Sequence, residues 1–210
     1  SAMCGIAGFY NPHRNYLKEE ARFRDILKNM AMVQRHRGPD DSGVCLTEHA
    51  GLSHARLSII DLVTGHQPMV KEAGGRTYSI TYNGELYNTE ELRKELCALG
   101  HSFTTTSDTE VILTGCIEYG PDFVKRLNGI FAIAFYDALH DRLILFRDRS
   151  GVKPLFYMVR GDEILFASEI KGILAVPGIR PVLDRKGLNE VFSIGPARTY
   201  GCGVFAGMEE

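Results

Sequence analysis

Ser1-Ala2-Met3-Cys4-Gly5-Ile6-Ala7-Gly8-Phe9 is the stretch on which the reading of the whole chain turns. The run from Gly5 to Phe9 reads as a strand buried on both faces, with a cysteine at its start. A methionine followed by a small residue is normally trimmed. With Met3 as the biological start, the mature chain begins at Cys4, and one residue then carries both a thiol and a free α-amine. The thiol, with a reference pKa of ~8.5, is a nucleophile, and the amine, at about 7.7–8.0, is a base. Nucleophile and general base then share one residue. The position also suits a small buried cysteine near a start codon, so the choice depends on the rest of the chain. Ser1-Ala2 has the look of a scar from a cleaved expression tag.

Composition narrows the classes. The 210 residues are 44% hydrophobic and 24% charged with a net charge of −2, which describes a globular protein able to bury a sizeable core. The length suits one domain, or one domain plus a tail. The balanced charge implies no nucleic-acid or anionic-membrane partner. No apolar run approaches ~20 residues, so no membrane span is expected, and no signal peptide opens the chain. Cys4, Cys45, Cys97, Cys116 and Cys202 are scattered, odd in number and form no CxxC pair. Free thiols in a reducing cytoplasm fit that pattern better than disulfides or a zinc site.

Working outward, Leu17 to about Gln34 has helical spacing through Phe23, Ile26, Leu27, Met30 and Val33. A turn-rich segment, Arg35 to Gly43, comes next. Gly43–Thr47 and Gly51–Ile60 read as paired strands, the second carrying Arg56. Asp61–Gly75 reads as loop. Arg76–Tyr82 alternates as a strand and runs into Asn83-Gly84, the strongest short hairpin signal. Thr89 can cap a helix to Leu99 with Gly100 as its stop, and Ser107-Asp108-Thr109-Glu110 fits a capping box for a helix to about Tyr119. Four runs, Ile130–Asp137, Arg142–Arg147, Pro154–Val159 and Glu163–Ala167, have short connections that favour one antiparallel meander. Glu169–Ala175 and Asp184–Phe192 read as short helices. The order predicts an α+β fold with two largely antiparallel sheets, each covered on its outer face.

Four features could carry chemistry. Asn83-Gly84 is either a turn or a side-chain amide and backbone N–H aimed at a developing oxyanion. Asp108 either complements a helix N-terminus or grips an ammonium. Arg56 is either a solvated strand residue or a fork for a carboxylate. His36, His54 and His66 are isolated and read as structural or surface residues. Taken together with Cys4, these suit an α-amino acid bearing a side-chain amide or acyl group.

The set Met3-Cys4-Gly5-Ile6-Ala7-Gly8-Phe9, His36-Arg37-Gly38-Pro39-Asp40-Asp41-Ser42-Gly43, Arg56-Leu57-Ser58-Ile59, Tyr82-Asn83-Gly84-Glu85-Leu86-Tyr87-Asn88 and Ser107-Asp108-Thr109-Glu110 resembles the glutaminase domain of glutamine-hydrolysing asparagine synthetases. These are class II glutamine amidotransferases with the N-terminal-nucleophile hydrolase fold. Phe146 to Tyr157 and Phe166 to Lys171 also look like this family. The resemblance implies an αββα sandwich with the cysteine at the end of a central strand. It implies that Cys4 attacks the glutamine carboxamide with its own amine as proton shuttle, that Asn83 and Gly84 form the oxyanion hole, and that Arg56 and Asp108 hold the substrate α-carboxylate and α-ammonium. Backbone at Leu57, Ser58, Ile59 and Ile60, with Glu85, would line the pocket. Related amidotransferases share the Cys-Gly-Ile opening and the Asn-Gly pair, and the Arg37-Gly38-Pro39-Asp40 loop favours the asparagine synthetase branch. The family continues into an ATP-dependent synthetase domain with a Ser-Gly-Gly-rich loop that nothing here resembles. Residues 1–3 therefore read as tag remnant and initiator, 4–195 as the amidotransferase domain, and 196–210 as a truncated linker. No cofactor is expected in this domain, and ATP and magnesium belong to the synthetase domain. Glutamine and that domain are the expected partners, with a homodimer also compatible. Asparagine is the favoured product; another acceptor, or a catalytically silent domain of the same fold, are the alternatives.

Overall fold

The computed structural model describes residues 4–56, 66–182 and 208–209. Its first strand, β1 (Gly5–Tyr10), is buried at all six positions, as its unbroken apolar composition predicts. The chain continues through α1 (Glu20–Met32), β2 (Asp41–Leu46), β3 (Ala50–Arg56), β4 (Met69–Ala73), β5 (Arg76–Leu86), α2 (Thr89–Ala98) and α3 (Asp108–Tyr119). It then adds β6 (Gly129–Asp137), β7 (Arg142–Arg147), β8 (Phe156–Arg160), β9 (Glu163–Ala167), α4 (Ile170–Leu174) and β10 (Met208–Glu209).

The strands form two sheets in the orders β10-β8-β9-β1-β3-β2 and β4-β5-β6-β7, with every pairing antiparallel. Alternation along each strand sorts the layers. From β1, Ala7 and Phe9 pack with Phe23, Leu27 and Met30 of α1, while Ile6 turns the other way to meet Leu52, Ala132, Ala134, Leu155 and Phe166. From β6, Phe131, Ile133 and Phe135 join Leu92 and Leu96 of α2 and Val111 and Ile112 of α3, while Ala132 and Ala134 face the other sheet. At the sheet–sheet contact the small Ala132 and Ala134 of β6 meet the larger Ile6, Leu52 and Phe166, while the large residues of β6 pack under the helices. The order of layers is helix, sheet, sheet, helix, as expected.

Three expectations about the strands need correction. Asn83-Gly84 is not a hairpin turn. It lies inside β5, where Asn83 pairs with Ala132 and Gly84 with Phe131 of β6. The glycine answers close packing rather than a turn: a Cβ there would stand 2.3 Å from the Ile130 carbonyl oxygen and 2.8 Å from Phe131 Cα. The four-strand meander is also divided. β6–β7 belongs to one sheet and β8–β9 to the other. The crossing is built by Asp148, whose carboxylate accepts from the backbone N–H groups of Phe131, Ser150, Val152 and Lys153 and so wraps the connection around itself. Finally, β4 lies within the segment read as loop, its half-exposed edge residues giving little apolar signal.

Helix signals fared better. Gly100, with φ 96°, stops α2 as expected, although Asn88 rather than Thr89 sits at the cap. Ser107 caps α3 by accepting from the Thr109 N–H at 3.0 Å. Glu110 does not close the capping box. Its carboxylate accepts instead from the N–H groups of Thr104 and Thr105 and the Thr105 hydroxyl. The expected helix Asp184–Phe192 lies outside the described residues.

Candidate active site

Cys4 stands one residue before β1, an interior strand of its sheet. Its backbone is held on both sides. The Cys4 N–H donates to Asn83 Oδ1 at 3.2 Å, and Arg37 Nε donates to the Cys4 carbonyl at 3.1 Å. The first of these bonds crosses from one sheet to the other over 79 residues of chain. It also orients the Asn83 amide, because only the oxygen can accept. The other amide atom, Nδ2, is buried and makes no hydrogen bond, within a side chain only 2% exposed. A buried donor left unpaired costs about 1–3 kcal/mol, so it marks a position where fold stability alone does not set the residue.

Gly84 offers a second donor. Phe131, its partner on β6, spends its N–H on Asp148 Oδ2 and its carbonyl on the Asp148 N–H. In an antiparallel ladder both main-chain groups of a residue point the same way, so Gly84↔Phe131 is a non-hydrogen-bonded pair. The Gly84 N–H therefore points away from β6, toward the side where β4 pairing has already ended at Met69↔Ile80. Tyr82, two residues earlier and in the same phase, turns its N–H to the Gln67 side-chain oxygen at 2.7 Å.

Arg56 ends β3. Extending the register Gly5↔Ala55 by one residue sets it opposite Cys4. Asp108 opens α3 and is half-buried. Its Oδ2 accepts from the Tyr82 hydroxyl at 2.8 Å, which ties the carboxylate to the residue beside Asn83. Burial pushes the Asp108 carboxyl up from its usual range, and hydrogen bonds from Tyr82, from the Leu86 backbone and from the backbone at the helix start oppose that rise. Tyr82 is raised far more, by burial first and then by Asp108, so its phenol stays protonated and remains the donor. Glu85 is exposed on β5. Leu57, Ser58, Ile59 and Ile60 lie outside the described residues.

The folded chain thus brings Cys4, Asn83, Gly84 and Arg56 together and links Asp108 to them through Tyr82. Several residues that support the site were given no part in it by the sequence. His54 is fully buried, and burial lowers its pKa to about 4, so the ring is neutral. Its Nε2–H donates to the Tyr82 carbonyl at 3.2 Å. Gln67 and Tyr82 brace the Asn83 strand, and Arg37 braces Cys4. Each is a polar residue in or beside a strand-like or turn-like run, a pattern that by itself does not separate support from surface. His36 pairs with Glu169 at 2.8 Å, and exposed His66 lies 3.4 Å from Asp41. Among the described residues, no group of three His, Cys, Asp or Glu side chains could hold a metal ion.

Gly84 also makes room for the Tyr82 ring, whose Cε2 would lie 2.8 Å from a Cβ at position 84. Gly84→Ala is accordingly expected to destabilise the chain by roughly 1–3 kcal/mol, the usual scale of overpacking. The check is the urea midpoint at constant slope; an unchanged midpoint would show that β6 yields to the methyl group.

The architecture is that of the N-terminal-nucleophile hydrolases. Glutamine phosphoribosylpyrophosphate amidotransferase of Bacillus subtilis superposes with a TM-score of 0.64 at 20% identity, over 82% of this chain and 43% of that one. At sequence level the assignment is sharper: a glutamine amidotransferase domain model matches residues 3–210, and the chain belongs to that family. Its relatives include asparagine synthetase [glutamine-hydrolyzing] 3 of Bacillus subtilis, 49% identical over 99% of this chain and 33% of that protein. Asparagine synthetase B [glutamine-hydrolyzing] of Escherichia coli is 38% identical over 83% of this chain and 30% of that protein. Amidase chry2 of Gibberella zeae is 37% identical over 85% of this chain and 27% of that protein. The chain spans about a third of the length of these curated relatives. No described helix is long and apolar enough to cross a membrane.

Proposed function

We propose that this domain hydrolyses glutamine to glutamate and ammonia, and that in a longer protein the ammonia serves ATP-dependent amidation of aspartate to asparagine. The observation that carries the reading is the Cys4 N–H···Oδ1 bond to Asn83. It places the cysteine against a buried amide whose Nδ2–H₂ is free to donate.

The Cys4 thiol gives its proton to the Cys4 α-amine as the sulfur attacks the glutamine carboxamide carbon. The amine passes that proton to the departing nitrogen, the C–N bond breaks, and a thioester and ammonia result. Negative charge gathers on the former carbonyl oxygen at each tetrahedral stage. There Asn83 Nδ2 and the Gly84 N–H supply preorganised donors. Water then attacks the thioester and releases glutamate and the thiol. Arg56 binds the substrate α-carboxylate and Asp108 its α-ammonium, with Glu85 and the backbone of residues 57–60 completing the pocket. ATP and magnesium act outside residues 4–195, in the synthetase portion that would be the domain's partner. The similarity to amidase chry2 supports a second reading in which the ammonia goes to another acceptor. The coding sequence downstream of Glu210 separates the two.

The test is glutamate release from glutamine by protein beginning at Cys4, with Cys4→Ala as the blank. Release abolished in the blank supports the reading; equal release in both rejects it. Arg56→Ala is expected mainly to raise KM for glutamine. A charged group that loses its hydrogen-bond partner forfeits about 1.5–3 kcal/mol. An unaltered KM would remove Arg56 from the substrate site.

A further inference from the structure

We infer that Glu169 is a positioning residue for the nucleophile, acting through Arg37 on the backbone of Cys4; this rests on the reading of Cys4 as the nucleophile.

Glu169 lies just beyond β9, where the strand ladder ends and side chains take over the contact with β1. At Ser168 the N–H donates to the Ile6 carbonyl at 2.8 Å, and the hydroxyl oxygen accepts from the Ile6 N–H at 3.0 Å. The Glu169 N–H then donates to the side-chain oxygen of fully buried Gln34 at 3.1 Å. Residues 168–169 are thereby fixed beside β1 two residues from Cys4. From that mount, Glu169 Oε1 accepts from Arg37 Nη1 at 3.0 Å, while Arg37 Nε reaches the Cys4 carbonyl.

The Arg37 side chain is only 7% exposed. A guanidinium so deeply buried needs a counter-charge, and Glu169 supplies it. The carboxylate is itself held in place, by His36 Nε2 at 2.8 Å on Oε1 and Lys171 Nζ at 3.1 Å on Oε2. Burial would push the Glu169 carboxyl up, but these donors hold it below its ordinary value, so the counter-charge persists into the acid range. Asn83 anchors the nitrogen of Cys4 and Arg37 its carbonyl. The two anchors flank the Cα and together set where the sulfur points. Without Glu169, the Arg37 guanidinium loses this counter-charge and its hold on the Cys4 carbonyl weakens. Misplacing a reacting atom by ~1 Å costs up to about 100-fold.

The experiment uses protein beginning at Cys4 and four variants: Glu169→Gln, Glu169→Ala, Arg37→Ala and the Arg37→Ala/Glu169→Ala pair. Two readouts are taken, glutamine turnover and the rate of Cys4 alkylation by iodoacetamide, read by mass spectrometry. Glu169→Ala is expected to lower kcat roughly tenfold with KM within about twofold, and Glu169→Gln, which keeps an acceptor for Arg37, to lose less. Because the two residues act as one unit, the double variant should be no slower than Arg37→Ala alone. The alkylation rate should shift alike in Glu169→Ala, Arg37→Ala and the pair. A wild-type alkylation rate in Glu169→Ala, or losses that multiply in the pair, overturns the inference. Alkylation needs no turnover, so absent glutaminase activity would reject the proposed function while still deciding the role of Glu169. Should Glu169→Ala fail to fold by circular dichroism, Glu169→Gln carries the same comparison against Arg37→Ala.

Discussion

Protein that begins at Cys4 is expected to release glutamate roughly 10²–10⁴-fold faster than the same protein carrying Ser1-Ala2-Met3, the range that general acid–base assistance contributes. The reason lies in one nitrogen. With residues before it, the Cys4 nitrogen is an amide whose lone pair is delocalised into the carbonyl, so it accepts no proton near neutral pH. A free α-amine, with a reference pKa of about 7.7–8.0, can take the thiol proton and pass it on. Both forms can donate to Asn83 Oδ1, the bond seen at 3.2 Å, so the surrounding fold should not distinguish them. The measurement is glutamate release at equal concentration with Cys4→Ala as the blank, alongside thermal unfolding of both versions. Matched rates would show that the α-amine is not the base, and the N-terminal-nucleophile mechanism would fail here.

Asn83→Ala is expected to lower kcat by roughly 10²–10³-fold, the loss typical of one oxyanion-hole donor. Its effect on stability should be small, and the reason is specific to this residue. The substitution forfeits the hydrogen bond from Cys4, a net loss of about 0.5–1.5 kcal/mol. It also removes Nδ2, a buried donor without a partner, whose burial costs about 1–3 kcal/mol. The two changes oppose each other, so the melting temperature should stay close to that of the parent while turnover collapses. That pairing marks a residue kept for chemistry at some expense to the fold. Normal turnover in the variant would reduce Asn83 to a strand residue that happens to touch Cys4.

Much of the molecule was legible in one dimension. The buried strand after Cys4, the helix ending at Gly100, the Ser107 cap and the antiparallel pairing of β2 with β3 all depend on neighbours within a few residues. Propensity, periodicity and capping are local, and they write themselves into the sequence. The resemblance of five short motifs added the family and the identities of Cys4, Arg56, Asn83 and Asp108 as a group.

Only the tertiary structure decided where those residues meet. Asn83-Gly84 has the composition of a tight turn, and the residues alone cannot show that β6 lies alongside it. The glycine is there because the Ile130 carbonyl and the Tyr82 ring leave no room for a Cβ, a constraint set in part by a strand distant in the chain from the glycine it restricts. The same holds for the Gly84 N–H, whose direction is set by how Phe131 is bonded to Asp148. The split of β6–β7 from β8–β9 depends on one carboxylate gathering four backbone amides. Arg37 and Glu169 look like solvated charges until their burial and their link to Cys4 are seen. Hydrogen bonds across 79 or 132 residues of chain leave no local pattern, because the energy that selects them appears only once the sheets have packed.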